Sequence, residues 1–186
     1  MGVLFKNALI DGKTADIMTQ NGKITKIAPK ITGSGVDLQG CRVFPGLVDV
    51  HAHGCIGFDT MDGDKLSEMS YYLAKNGTTS WLPTTMTMDM ETVKSVVNAD
   101  IPKTSGANIL GFHMEGPYIS PKHKGAQNEK YIKNPDIEEF NSVRNVKMIT
   151  LAPELENSAE FIRKCGAVVS IGHTDADYDI TVNAIE

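Results

Sequence analysis

Only five histidines occur in the 186 residues, and three of the four discussed first stand beside other potential ligands. His51 and His53 lie two apart in "DVHAHG", His113 and Glu115 lie two apart in "GFHMEGP", and His173 ends "AVVSIGH". A carboxylate in an apolar run costs free energy unless something there pairs with it. Imidazole nitrogen and carboxylate oxygen together suit a divalent ion such as Zn²⁺ or Fe²⁺. One histidine alone is as well explained by a hydrogen-bonded core position. The recurrence of His51, His53, Glu115 and His173 at the ends of separate apolar runs is what argues for a metal site. His123, in "SPKHKG", has lysine neighbours and reads as a solvated loop residue. Cys55 lies near His53 and is a candidate thiolate, against which stands the ordinary role of cysteine as a small buried apolar residue.

Those groups need elements that bring their ends together. From Phe44 onward the pattern alternates strand and helix, with strands expected at GLVDVHAH, TTSWLPTT, NILGFHME, VKMITLAP and AVVSIGH. Period-two alternation puts Leu47, Asp49, His51 and His53 on one face, and Gly111, His113 and Glu115 on one face opposite Leu110, Phe112 and Met114. In the last strand it groups Val169, Ile171 and His173, with Gly172 opposite. Helices are expected over 64–76, with Leu66, Met69 and Leu73 aligned, and over 90–99 behind an Asp89 cap. Others are expected behind Asn134-Pro135, behind an Asn157/Glu160 capping box with Gly166 as its stop, and behind Thr174 or Asp177. Strands alternating with helices argue for a parallel sheet, either a barrel or an open doubly wound sheet. In both, active sites form at the carboxyl ends of the strands, where these polar groups cluster. Residues 1–43 read instead as short strands and turns, with Asn21-Gly22 as a hairpin signal. A complete eight-unit barrel takes about 250 residues, more than 44–186 supply, so the chain reads as the front part of a longer protein.

Composition narrows the function. At 41% hydrophobic and 22% charged the chain is globular, and a net charge of −5 with no basic stripe argues against nucleic acid. No apolar run approaches a membrane span, and the N-terminus lacks a signal-peptide pattern. Three cysteines without a C-x-x-C spacing fit a reducing cytoplasm rather than a disulfide framework. The long segment "GPYISPKHKGAQN" has the texture of a substrate-contacting loop. "NGTTSWLPTT" could lend hydroxyls to the site, although Thr and Trp in a buried strand more often pack.

"FPGLVDVHAHG", "NGTTSWLPTTMT", "GFHMEGPYISPKHKGAQN", "TLAPE" and "SIGHTDADYD" together resemble the N-acetylglucosamine-6-phosphate deacetylases of the amidohydrolase superfamily. The resemblance implies a metal-dependent (β/α)8 barrel, with residues 44–186 as its first five β/α units. It also implies that 1–43 contribute to a small β-sandwich domain. It implies Glu115 and His173 as metal ligands, His51 and His53 as ligands for a second ion, Ala126 and Gln127 beside the sugar, and His113 supporting the site. It implies one or two divalent ions, an amino-sugar phosphate as the small-molecule partner, and a homodimer for the complete protein. The general acid/base aspartate of the family matches no position up to Glu186, so no catalytic residue is assigned and the chain alone is expected to be inactive or nearly so. Two rival readings share parts of the pattern. A dihydroorotase or N-acyl-amino-acid deacylase would share H-x-H without "HMEGP…KGAQN", and a non-catalytic fragment would associate through its sheet edge.

Overall fold

The computed structural model describes residues 2–186, so Met1 of the expected sandwich segment lies outside the described residues. The chain forms two compact units, Met1–Pro45 and Gly46–Glu186.

The first unit is a four-stranded sheet in the order β3-β2-β1-β4, made of β1 (Gly2–Ile10), β2 (Lys13–Gln20), β3 (Lys23–Ala28) and β4 (Val36–Asp37). Asn21 and Gly22 both sit at positive φ, 51° and 73°, which lets a two-residue turn match the twist of β2 and β3. The pairing of β1 with β2 slips between Phe5 and Ala8, where Asn7 has φ 55°. Leu4, Ala8, Ala15 and Ile17 are buried.

The second unit begins with β5 (Leu47–Ala52), a short hairpin of β6 (Gly54–Cys55) and β7 (Phe58–Asp59), and α1 (Leu66–Lys75). It continues through β8 (Thr78–Thr85), α2 (Met90–Val97), β9 (Asn108–Ile109), β10 (Phe112–Glu115), α3 (Ile137–Phe140) and β11 (Val146–Leu151). The last elements are α4 (Ser158–Lys164), β12 (Val168–Ile171) and α5 (Tyr178–Ile185). The strands β5, β8, β10, β11 and β12 are neighbours in chain order, and every pairing among them is parallel. A doubly wound sheet must reverse its order at a switch point. This order never reverses, so the open-sheet alternative is excluded and the sheet is half of a (β/α)8 barrel.

The helices cover one face. Met69, Trp81, Val93, Val97, Phe112, Met114, Ile149, Leu151 and Phe161 form one apolar cluster, each 1% exposed or less. Side chains of this size each contribute roughly 1.5–3 kcal/mol on full burial. The indole of Trp81 donates to Ser70 Oγ at 2.9 Å, which satisfies its one polar atom inside that layer.

Several local expectations need correcting. The strand expected over 108–115 is two pieces, with Gly111 between them at φ 141°, and the register with β11 slips just after, between Phe112 and His113. Leu110, expected toward the helices, is therefore 46% exposed. Asp136 rather than Asn134 caps α3, accepting from the Glu139 N–H. Asn157 does stand at the start of α4, but in a left-handed conformation and with no side-chain capping bond. Asp89 and Asp177 cap α2 and α5 through the N–H groups of Thr92 and Ile180.

Candidate metal centre

Strand β10 carries the site. His113 and Glu115 lie opposite Met148 and Thr150 of β11, while Phe112 and Met114 enter the helix-side core. Glu115 is 5% exposed, so its carboxylate depends on what faces it. His51 Nε2 lies 3.5 Å from its Oε1, His173 Nε2 lies 3.2 Å from the same oxygen, and His53 Nε2 lies 3.1 Å from Oε2. The Gln127 amide also donates to Oε2. The strand stops at once because the Thr87 hydroxyl donates to the Glu115 carbonyl at 3.0 Å. A Cβ on Gly116, where φ is 74°, would stand 2.1 Å from that hydroxyl oxygen.

The histidines reach this carboxylate by different routes. Between Asp49 and Ala52, β5 advances three residues while β8 advances only from Trp81 to Pro83. The extra residue reverses the alternation, so Asp49 is registered beside the core residue Trp81 and does not share the face of His51 and His53. Its carboxylate instead accepts from the His51 N–H at 3.0 Å. His173 departs further. Val169 and Ile171 are registered with Ile149 and Leu151, which face the helices. Simple alternation would send His173 the same way, but β12 ends at Ile171 and His173 adopts φ 49°. That left-handed backbone, unusual outside glycine, turns its imidazole to Glu115.

The tautomers follow from the partners. Nδ1 of His53 faces the Thr84 carbonyl at 3.2 Å, and Nδ1 of His173 faces the His123 carbonyl at 2.7 Å. A carbonyl only accepts, so each Nδ1 carries its proton and each Nε2 is aimed at Glu115. This is the arrangement that orients a ligating imidazole. In His113, Nδ1 donates to the Val50 carbonyl at 2.8 Å, and Nε2 accepts from the Thr150 hydroxyl at 2.7 Å. Both nitrogens of His113 are thus engaged, and it ties β10 to β5 and β11.

Electrostatics separate these groups. Burial pushes the Glu115 carboxyl up, but the His53 hydrogen bond and the charges of His53, His51 and His173 outweigh it, and the net shift is downward. The Glu115 hydrogen bond raises His53 above its ordinary value, against the opposing effect of burial. Burial lowers His113, which favours its neutral form.

His51, His53 and Glu115 form a group able to hold a metal ion, their donor atoms all within 4.8 Å of one another. Donors about 2.0–2.1 Å from a tetrahedral ion stand roughly 3.3 Å apart, which is the scale of the separations to Glu115. Glu115 presents one oxygen to His53 and the other to His51 and His173, so the donor set fits a divalent ion. Cys55 does not join it; its thiol faces the Met69 carbonyl, and burial pushes its pKa up. Gln127 is buried and tied to Glu115 and, through Oε1, to the Thr87 N–H at 2.7 Å, whereas Ala126 is exposed.

No family model matches the chain. The N-acetylglucosamine-6-phosphate deacetylase of Lysinibacillus sphaericus is 38% identical over 188 residues, covering 92% of this chain and 49% of that protein. The chain is homologous to the N-acetylglucosamine-6-phosphate deacetylases. The structure of the deacetylase of that name from Thermotoga maritima matches with a TM-score of 0.80 at 34% identity, over 97% of this chain and 51% of that one. A variant of the Mycobacterium smegmatis deacetylase, solved in complex with N-acetyl-D-glucosamine-6-phosphate, matches with a TM-score of 0.80 at 25% identity. It covers 99% of this chain and 53% of its own. The chain thus spans about half the length of the deacetylases it matches.

Motif reading missed some of the contacts that hold the histidines facing Glu115 in place. Thr84 lies in "NGTTSWLPTT", read as a source of hydroxyls, but it is its carbonyl that faces His53, and Thr150 signalled nothing by type, since threonine is common in strands. His123 is exposed as expected, yet its carbonyl fixes the His173 tautomer and its ring lies 2.8 Å from Asp175. The basic "PKHK" and the acidic "TDAD" were the available signal, as segments of opposite charge.

Proposed function

We propose that this chain supplies the metal-binding part of a hydrolase that removes the N-acetyl group of N-acetylglucosamine 6-phosphate, giving glucosamine 6-phosphate and acetate. The observation that carries the reading is Glu115, a buried carboxylate faced by three imidazole Nε2 atoms within 3.5 Å, two of them with Nδ1 committed to a backbone carbonyl. Glu115 with His51 and His53 would hold one ion, Glu115 with His173 would contribute to a second, and Zn²⁺ or Fe²⁺ suits both sets. A divalent ion there would supply the Lewis acid that activates water and polarises the acetyl carbonyl. His53 and His173 keep their Nδ1 protons on carbonyls, which leaves Nε2 as donor atom. His113, neutral and doubly bonded, keeps the carboxyl end of β10 in register. Gln127 holds Glu115 and borders the sugar together with Ala126. The proton taken from water must reach the leaving amine, and the family resemblance gives that task to an aspartate matched by none of these 186 residues.

Among the described residues, the half-barrel also leaves both of its edge strands, β5 and β12, unpaired on one side. The test is acetate release from N-acetylglucosamine 6-phosphate. A full-length protein containing this chain is expected to show chelator-sensitive turnover, and the 186-residue chain little or none. Full turnover by a full-length Glu115→Gln variant would contradict the reading.

A further inference from the structure

His173 needs an explanation beyond its ligand role, because the strand leading to it aims it away from Glu115. The segment after it is fastened on two sides. Glu154, in the turn after β11, accepts from the Thr174 hydroxyl at 2.5 Å through Oε2 and from the Asp175 N–H at 2.7 Å through Oε1. The Thr174 hydroxyl in turn accepts from the Ala176 N–H at 2.9 Å. From the loop after β10, the Ser120 N–H donates to the His173 carbonyl at 2.8 Å. Lys122 Nζ reaches both Asp175 oxygens, at 2.9 and 2.8 Å, and His123 Nε2 lies 2.8 Å from one of them.

We propose that Glu154 is a positioning residue for His173: by holding Thr174 and Asp175 it imposes the left-handed turn that brings the imidazole to Glu115. The Lys122–Asp175 pair is exposed, and an exposed ion pair contributes little to stability. Glu154 is only partly exposed, and it takes a backbone donor and a hydroxyl in the two residues next to His173. It is therefore the stronger fastener of the two. This also gives a purpose to the glutamate of "LAPE", which the hydrolytic chemistry leaves unused. The consequence for metal affinity rests on the metal reading above, whereas the geometric claim does not.

Two readouts on the whole chain test it. In the metal-free protein, the His173 ring carbon Cε1 lies against Gly125, 3.5 Å from where a Cβ would stand. A nuclear Overhauser contact from the His173 ring to Gly125 is expected in the wild type and lost in Glu154→Ala. Zinc titration is expected to show affinity weakened roughly 10- to 100-fold in Glu154→Ala, the usual effect of removing a group that orients a ligand. The double variant with His173→Ala should bind no more weakly than His173→Ala alone, because Glu154 acts through that ring. Thr174→Val removes one of the two bonds and should show a smaller loss, which keeps the test open if Glu154→Ala does not fold. Retention of the His173–Gly125 contact in Glu154→Ala, or additive losses in the double variant, would overturn the proposal. A wild-type chain that takes up no zinc would overturn the metal reading, and the contact with Gly125 would then decide the turn by itself.

Discussion

Asp16 and Glu115 are the two buried carboxylates among the described residues, one in each unit, and they are used in opposite ways. Asp16 accepts from the N–H of Asn7 at 3.0 Å and from the N–H of Ile31 at 2.8 Å. Its charge serves the slip in β1 and the segment that follows β3. Glu115 instead faces three imidazoles and a side-chain amide, and among the described residues no backbone N–H donates to its carboxylate. Both are held below their ordinary values, Asp16 by backbone hydrogen bonds first and Glu115 by histidines against the effect of burial. The direction of a shift therefore does not separate a structural carboxylate from a ligand. The kind of partner does: backbone donors are fixed by the fold, whereas imidazoles anchored through Nδ1 can exchange the carboxylate for an ion.

The largest effect should come from Glu115→Gln, which is expected to weaken zinc uptake by more than about 100-fold, beyond the usual cost of removing a supporting group. Isothermal titration reads this directly, and wild-type affinity in the variant would break the contrast. Asp16→Asn should do the reverse. It should lower the thermal midpoint of the N-terminal unit because one acceptor becomes an amide, while zinc uptake by the chain stays unchanged. Loss of metal in that variant would show that the two carboxylates are not separable. Thr150→Val leaves His113 Nε2 without its donor and should cost about 1–2 kcal/mol in denaturant unfolding, with the metal stoichiometry preserved.

The smallest effect is a pH dependence confined to one unit. His53 is raised above 6.5, so its contribution is present below that value and lost as pH rises through its folded pKa. His113 is lowered, so its contribution is present above 6.5 and lost as pH falls through its folded pKa. The metal-free half-barrel is thus expected to be most stable near pH 6.5. The N-terminal unit, which has no histidine, should show no such maximum and should lose the Asp16 contribution only as pH falls below 3.8. Thermal scans across pH, with probes in each unit, would reveal the difference, and identical profiles would count against it.

Much of this was legible in the sequence, because the cores of α1 and α2 follow strong helical periodicities. The ligand types also follow from chemistry that needs no coordinates. What could not be read is phase. Alternation places His51 and His53 correctly relative to each other, yet it misassigns Asp49, because a single extra residue in β5 is invisible in the pattern. It misassigns His173 for a deeper reason: a left-handed residue at a strand end is imposed by Glu154 and the 117–127 loop, which are distant in sequence. The bond of Gln127 to Glu115 and the contacts of Thr84, Thr87 and Thr150 were hidden likewise, since they depend on which carbonyl, carboxylate or ring nitrogen lies opposite.

X-ray absorption at the zinc edge of the zinc-loaded chain reads the proposed ligand set itself. Imidazole nitrogen and carboxylate oxygen are expected at about 2.0–2.1 Å, with the imidazole signal diminished in a His51→Ala/His53→Ala double variant. A sulfur-containing shell at about 2.3 Å, or a spectrum unchanged in the double variant, would contradict it.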